Sequence, residues 1–416
     1  MLMELLNVRS EMEKRFKTLD DLDAKNKTVL VRVDINSPLD PETKKIIDDS
    51  RIRLHASTLD ELSSKGAKVV VLAHQGRPGD PDFSSLSLHA TVLQNYVKAK
   101  VKFVNDVIGE KAISTIKSLS PGEILMLENV RTIPEEMKDL PPEQHAKGKL
   151  VKTLSEVSDA FVNDAFAAAH RAHASIVGFT VVLPSYAGRV MEKEVYALDK
   201  VYSNPEKPSL YVLGGAKPKE TFKVIEHVLS KNKADEVLIG GMVSTVFLHC
   251  AGYDVGEKNV KEIEEKGFGQ FYDKVKDILA KYEDRLVMPY DVAVDLDGKR
   301  KEFPRVMFPP AGYIRDIGKD TVEIYSKILK VAKSIVINGP MGMFEDKKFS
   351  FGTVELIKSL KGSKAFSVLG GGHSVAAVES YGLAEFVSYI SSGGGAMISF
   401  LSGEKLPGIE ALEKAK

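Results

Sequence analysis

The sequence predicts an α/β protein: two Rossmann-like, three-layer α/β/α domains with mostly parallel sheets, joined by a hinge helix. Three observations lead there. Short β-branched or apolar runs alternate with stretches of helical periodicity along the chain. The 416 residues exceed what one core organises, at about 150 residues per domain. The residues just past the predicted strands also change character near residue 200, polar and basic before it and glycine-rich after it.

In chain order, the strand-like runs of the first half are residues 28–33, 68–73, 101–104, 124–127 and 160–162. Beyond them stand Asp34, Asn36, His74, Arg77, Arg131, His170 and Arg171. The second half repeats the pattern at residues 210–213, 237–239, 286–288, 334–337, 365–369 and 386–390. Four of these six ends lead into glycines: Gly214 and Gly215, Gly240 and Gly241, positions 370–372, and positions 393–395. Open parallel sheets bind ligands outside the carboxyl ends of their strands. Turn-making alone also favours Gly and polar residues there, but it does not sort them by half. The sorting points to two different anions.

Between the halves, residues 190–203 (VMEKEVYALDKVYS) carry apolar side chains at helical spacing, and Asn204, Pro205 and Pro208 then break the helix. This places a domain boundary at 188–208, with domains at 1–188 and 189–403, the second including the connecting helix. An ordinary surface helix and loop would give the same pattern.

Composition excludes several classes. Lys and Arg balance Asp and Glu at 58 each, so net charge offers no pull towards nucleic acid or an anionic membrane. Cys250 is the single cysteine, which rules out an internal disulfide framework and fits a reducing, cytoplasmic setting. No run approaches the ~20 apolar residues of a membrane span. The N-terminal MLMELLNVRSEMEKRF meets Glu and Arg too early for a secretory leader.

The chemistry of the two halves differs. Asp34 and Asn36 in VRVDINSP can orient hydroxyl or carboxylate groups by hydrogen bonds. Arg51 opens the following helix, His74 and Arg77 lie in AHQGRP, Arg131 ends LENVR, and His170, Arg171 and His173 lie in NDAFAAAHRAHAS. Guanidinium groups hold carboxylate or phosphate through paired hydrogen bonds, so converging arginines suggest a small, multiply charged anion. A lone arginine is more often a solvated surface residue. In the second half, glycine lets backbone approach a phosphate and helix N-termini supply N–H donors. Lys217 in LGGAK stands near the first such site, and NGPMGMFE (338–345) adds a tight turn and a carboxylate suited to ribose hydroxyls. Neither GxxxxGK[ST] nor an intact GxGxxG occurs, which disfavours a P-loop NTPase and a standard dinucleotide dehydrogenase.

Taken together and in order, VRVDINSP, AHQGRP, LENVR, NDAFAAAHRAHAS, LGGAK, NGPMGMFE, LGGGHSVAA, SSGGGA and KLPGIEAL closely resemble the phosphoglycerate kinase family across nearly the whole chain. The resemblance implies reversible phosphoryl transfer between 1,3-bisphosphoglycerate and ADP, giving 3-phosphoglycerate and ATP, in glycolysis and gluconeogenesis. It implies an N-terminal glycerate domain, a C-terminal nucleotide domain, and a tail (404–416) that packs back on the first. Asp34, Asn36, Arg51, His74, Gln75, Gly76, Arg77, Arg131, His170 and Arg171 would bind the glycerate. Gly214, Lys217, Gly241, Asn338, Pro340, Glu345, Gly371, Gly372, His373 and Ser374 would bind the nucleotide. Arg51, Lys217, Gly372 and Gly395, the last with Gly394, would act on the moving phosphoryl group. Mg²⁺ would be held mainly by ATP or ADP phosphates and water, with no ligand set from the chain, and the protein would be a monomer or homodimer.

The acceptor is already ionised in either direction, so no catalytic base is needed; positioning, charge stabilisation and closure of the domains must supply the rate. Two positions depart from the family pattern. Thr221 stands where a second lysine is usual, leaving Lys219 or Lys223 to supply the charge from a shifted geometry, or the site to manage without it. His373 replaces the usual aspartate of the GGGDT pattern, and a neutral imidazole is a poor Mg²⁺ ligand. From the residues alone, two other classes stay open: an NAD-linked oxidoreductase, which lacks its fingerprint, and a non-catalytic protein closing over a phosphorylated metabolite, which leaves Lys217 and the glycine loops without a use.

Overall fold

A computed structural model describes residues 15–415. The stretch examined above for a secretory leader lies almost wholly outside the described residues. The chain forms two compact units, one running up to Glu194 and taking in the C-terminal stretch from Lys405, the other spanning Val195–Glu404.

The first unit holds β1 (Thr28–Arg32), β2 (Lys68–Leu72), β3 (Val101–Phe103), β4 (Ile124–Met126), β5 (Ala160–Asn163) and β6 (Ser185–Ala187). They make one parallel sheet in the order β3-β4-β2-β1-β5-β6. Strand periodicity explains the layering. Val29, Val31, Val69 and Val71 enter one apolar core, while Leu30, Val70, Leu72 and Phe161 enter another. Alternate side chains on a strand face opposite ways, so a continuous apolar run feeds two cores and demands helices on both faces.

The second unit has β7 (Ser209–Leu213), β8 (Glu236–Ile239), β9 (Leu286–Val287), β10 (Asp291–Leu296), β11 (Lys299–Pro304), β12 (Tyr313–Ile317), β13 (Ser334–Asn338), β14 (Phe366–Gly370) and β15 (Tyr389–Ile390). Six form a parallel sheet ordered β15-β14-β13-β7-β8-β9, and β11-β10-β12 form a separate antiparallel sheet. Every run anticipated above is a strand, with ends shifted by up to three residues. The antiparallel sheet and β6 were not anticipated. In β11, KRKEFP, the exposed face is charged, so no apolar run marks it.

The connecting segment is an α-helix over Arg189–Leu198 continued by a π-helical turn over Asp199–Ser203. Its first turn is fixed to the first unit by charge. Arg189 pairs with Glu61 at 2.7 Å, Asp20 at 2.6 Å and Glu192 at 2.8 Å, and these carboxylates raise its pKa further. The Asp164 carboxylate accepts from the Val190 N–H at 2.8 Å, a favourable place for a negative charge. The tail helix Pro407–Lys414 joins the first unit, where the Gly408 N–H donates to the Ala169 carbonyl at 2.9 Å.

Candidate active site

In the first unit, the carboxyl ends of β1, β2, β4 and β5 assemble a cation-rich cluster. Its organiser is Arg32, the last residue of β1 and only 1% exposed. Its Nε donates to the Ser175 hydroxyl at 2.8 Å, one terminal nitrogen donates to the Val33 carbonyl, and Nη2 meets His74 Nδ1 at 2.9 Å. Ser175 in turn donates its hydroxyl and N–H to the buried Glu136 carboxylate at 2.6 and 2.8 Å. A guanidinium can only donate, so His74 Nδ1 accepts and the imidazole is neutral, its proton on Nε2. Burial, reinforced by Arg32, accordingly holds the His74 pKa well below its usual value.

Asp34 follows β1. Its carboxylate accepts from Arg51 Nη1 at 3.0 Å and from the Asn36 N–H at 3.1 Å, and its own N–H donates to His55 Nε2 at 3.2 Å. His55 Nδ1 lies 2.7 Å from Asp164. Burial pushes the Asp34 carboxyl up, but the attraction of His74, Arg51 and Arg32 with the Asn36 N–H outweighs it, and the group is held well below the usual carboxylate range. Since His74 is neutral, Arg51 and Arg32 supply that attraction near neutral pH. Arg51 opens the helix Ser50–Ser64 and remains partly open to solvent.

The remaining arginines crowd one another. Arg131, 5% exposed, donates to the Gly76 carbonyl, and burial together with Arg171 and Arg32 lowers its pKa to about 10. Among the described residues its Nε finds no hydrogen-bond partner. Burial and Arg77 lower the Arg171 pKa, and Arg171 Nε donates to His170 Nε2 at 3.2 Å. Arg77 is exposed. Burial, with Arg171, Arg131 and Arg32, pushes His173 down to about 3. Arginines packed closely enough to depress one another, with a buried donor left over, form a site that a polyanion would relieve.

Gln75 is fully buried and its amide is saturated: Oε1 accepts from the Ser37 N–H at 2.9 Å and faces His89 Nε2 at 3.0 Å, while Nε2 donates to the Ser37 and Asp82 carbonyls. It shapes the loop and has no side-chain group left for a ligand. The loop's tight bend also explains Gly76. Its φ is +62°, a Cβ there would meet Phe83 N at 2.5 Å, and its N–H is held by Asn36 Oδ1 at 2.8 Å.

The second unit carries a cavity of about 450 Å³ at the carboxyl edge of its parallel sheet. Gly214, Lys217, Thr221, Gly241, Asn338, Pro340, Glu345, Gly371, Gly372, His373 and Ser374 all line it. The glycines divide by role. Gly214 and Gly241 donate their N–H groups to the Asn338 and Met341 carbonyls at 2.9 and 2.8 Å, so neither offers an amide to a ligand. They allow backbone to pack on backbone: a Cβ on Gly214 would stand 2.4 Å from the Pro340 carbonyl. Gly372 is different. It opens the helix Gly372–Ser380, a Cβ there would meet nothing within 4 Å, and the N–H groups of that first turn have no intrahelical partner. A helix end of this kind presents N–H donors suited to an anion. Gly394 and Gly395 precede and open the helix Gly395–Leu401, which reaches the cavity through Ile398.

Lys217 is exposed at the start of the helix Pro218–Ser230. Thr221 turns back and donates its hydroxyl to the Lys217 carbonyl at 2.9 Å. Lys223 is paired with Glu404. Glu345 is solvent-exposed, with one carboxylate oxygen 3.8 Å from His373 Nδ1. Among the described residues no group of three or more His, Cys, Asp or Glu is placed to hold a metal ion. No described helix is long and apolar enough to cross a membrane.

Sequence reasoning missed Arg32, His55, Glu136 and Ser175 in the first unit, and Lys266 and Arg315 on the cavity wall of the second. VRVD did carry a signal for Arg32, a charge on an otherwise apolar strand.

Two three-layer α/β units, with cationic side chains or helix N–H groups at the carboxyl edge of each parallel sheet, carry the fold, and the family and relatives that the chain matches make it a kinase, a phosphotransferase. The phosphoglycerate kinase family profile matches residues 19–404. The chain is 47% identical over 401 residues to phosphoglycerate kinase of Methanobacterium bryantii, covering 96% of this chain and 98% of that protein. It is 42% identical to that of Sulfolobus acidocaldarius, covering 95% of each. The crystal structure of phosphoglycerate kinase from Pyrococcus horikoshii superposes with a TM-score of 0.88 at 44% identity, over 96% of this chain and 99% of that one. The chain belongs to the phosphoglycerate kinase family.

Proposed function

We propose that the chain transfers a phosphoryl group between 1,3-bisphosphoglycerate and ADP, giving 3-phosphoglycerate and ATP, as a cytoplasmic enzyme of glycolysis and gluconeogenesis acting as a monomer or homodimer. The observation that carries this reading is the first unit's arginine cluster, in which Arg32, Arg51, Arg77, Arg131 and Arg171 outnumber the carboxylates Asp34 and Glu136. Such an excess suits a small ligand bearing phosphate and carboxylate together.

In this reading Arg131, Arg171, Arg77 and His170 bind the glycerate phosphate and carboxylate, and His74 donates from Nε2. Asp34 and Asn36 orient the hydroxyl, and the Gly76 loop shapes the pocket. Arg51 is held by Asp34 but keeps a partly open guanidinium, which suits it to reach the moving phosphoryl group. The first-turn amides of Gly372, His373 and Ser374, with Lys217 and Gly395, stabilise its equatorial charge. Asn338 and Pro340 line the nucleotide pocket beside Gly214 and Gly241, and Glu345 holds the ribose. Mg²⁺ would be held mainly by the nucleotide phosphates and water. The cavity's donor set suits that arrangement, because the nearby Asp316 carboxylate is already spent on Arg300 at 2.8 Å and on the Gly352 N–H. When bound, the ion neutralises phosphate charge; the chain's own contribution is positioning and fixed N–H dipoles. Because each unit holds one ligand, transfer requires them to close, with the connecting helix as hinge.

The reading is tested by mixing purified protein with MgATP and 3-phosphoglycerate and following acyl phosphate through a coupled reduction. Turnover well above a Lys217→Ala control is expected, and turnover no higher than that control would overturn the proposal.

A further inference from the structure

Part of the cavity wall in the second unit is charged in a way that phosphate binding does not use. Lys266, just past the helix Glu257–Glu265, and Arg315 on β12 both line the cavity. They share one carboxylate. Lys266 Nζ lies 2.8 Å from Glu262 Oε1, and Arg315 Nη1 reaches Oε1 and Oε2 at 2.8 and 2.7 Å. Two cations on one carboxylate leave a surplus positive charge, and the side-chain hydrogen bonds of Arg315 run through Nη1, so its other nitrogens remain as donors.

The apolar residues Met242, Ile314 and Met343 line the same cavity, and the Met343 N–H donates to the Arg315 carbonyl at 2.8 Å, which places the two side by side. The two carboxylates beside these cations are engaged. Both Glu262 oxygens are used, and Asp316 accepts from Arg300 Nη1, the Gly352 N–H and the Ile317 N–H at 2.8, 2.8 and 2.9 Å. With phosphates at the first turn of Gly372–Ser380 and ribose at Glu345, a purine base would lie among these apolar side chains with its polar edge towards Arg315 and Lys266.

We infer that this wall selects purines carrying an oxo group at position 6, so that GTP and GDP serve at least as well as ATP and ADP. The inference rests on the nucleotide reading of the cavity given above. Guanine presents the acceptors O6 and N7 on one edge, which a guanidinium or ammonium satisfies, whereas adenine presents an amino donor beside N7. A cationic wall facing an amino group forgoes the pairing that O6 would give, chiefly at the half-buried Arg315, whose side chain is 20% exposed. The chemistry is otherwise unchanged. The bond from the β–γ bridging oxygen to the γ-phosphorus breaks, a bond from the 3-phosphoglycerate carboxylate to that phosphorus forms, and GDP leaves.

The test compares kcat/KM for GTP and ATP, with 3-phosphoglycerate saturating, in the full-length protein and in Arg315→Gln, Arg315→Lys and Lys266→Met, with GDP and ADP binding followed by calorimetry. The wild type should give a GTP-to-ATP ratio of one or more, and Arg315→Gln should lower that ratio about tenfold. Arg315→Lys keeps a cation for Glu262 and should fall between them, which separates base reading from a folding defect, as does an unchanged melting curve. A wild-type preference for ATP over GTP, a ratio indifferent to both positions, or parallel losses for both nucleotides would overturn the inference. Absence of turnover with either nucleotide would count against the kinase reading instead, and the GDP-to-ADP affinity ratio would then decide the base preference by itself.

Discussion

The two regions proposed to bind anions reach positive potential by opposite routes. Around Arg32, Arg131 and Arg171 the charge sits on side chains, several of them buried, and neighbouring groups such as His74 are forced neutral. Around Gly371 and Gly372 the donors are backbone N–H groups at one helix end, and the side chains mainly leave room. A side-chain site is vulnerable to charge deletion and to pH, while a backbone site is vulnerable to added volume.

The largest expected effect is at the junction of charge and chemistry. Arg51→Ala should lower turnover by about 10³-fold while leaving ADP affinity within about twofold, as for other arginines that meet a transferring phosphoryl group. Single-turnover kinetics with calorimetric ADP titration would check it, and an equal loss in both would place Arg51 in the nucleotide site.

Next comes volume in the glycine region. Gly339 has φ +86°, and a Cβ there would stand 2.2 Å from the Gly214 carbonyl. Gly339→Ala should cost about 3 kcal/mol in denaturant unfolding, from backbone strain and forced separation of two packed loops. A loss below about 0.5 kcal/mol would show that the loops give way freely.

The pH effect belongs to the arginine side. Burial holds His89 at a pKa of about 4, against about 6.5 in an unfolded chain. The folded form stays neutral while the unfolded form takes up a proton below pH 6.5, so this contribution is full above that pH and is lost as pH falls towards 4. The loss should be on the order of 2 kcal/mol. His89→Gln should flatten that part of the stability profile, and an unchanged acid slope would count against it.

The smallest structural effect is expected at Gly372, where a Cβ meets nothing within 4 Å and φ is not left-handed. Gly372→Ala should alter stability by less than about 0.5 kcal/mol yet weaken ADP binding, because the new methyl stands where phosphate would approach. Unfolding curves and ADP titration would distinguish this from a packing role.

How much of this was legible beforehand follows the same division. Asp34, His74 and Arg131 could be picked out because strand ends are where parallel sheets hold ligands, and a polar residue there needs a reason. Arg32 left only the signal of a charge on an apolar strand, and strand patterning assigns its position to the core; what places it in the site is the contact with Ser175 and His74, made across 143 and 42 residues of chain. Gly214 and Gly241 showed the converse problem: a glycine that lets backbones touch and one that admits a ligand look alike in sequence, and only the engaged N–H groups separate them. Lys266 and Arg315 belong to no glycine or arginine motif, because a helix end and an antiparallel strand bring them together.

The central claim is that the arginine-rich unit holds the glycerate and the glycine-rich unit holds the nucleotide. Calorimetric binding of 3-phosphoglycerate and of ADP to the full-length protein, to Arg131→Met and to Lys217→Met tests it most directly. A crossed pattern is predicted, with Arg131→Met weakening only the glycerate and Lys217→Met only the nucleotide. If either substitution weakens both ligands equally, the division of labour is contradicted.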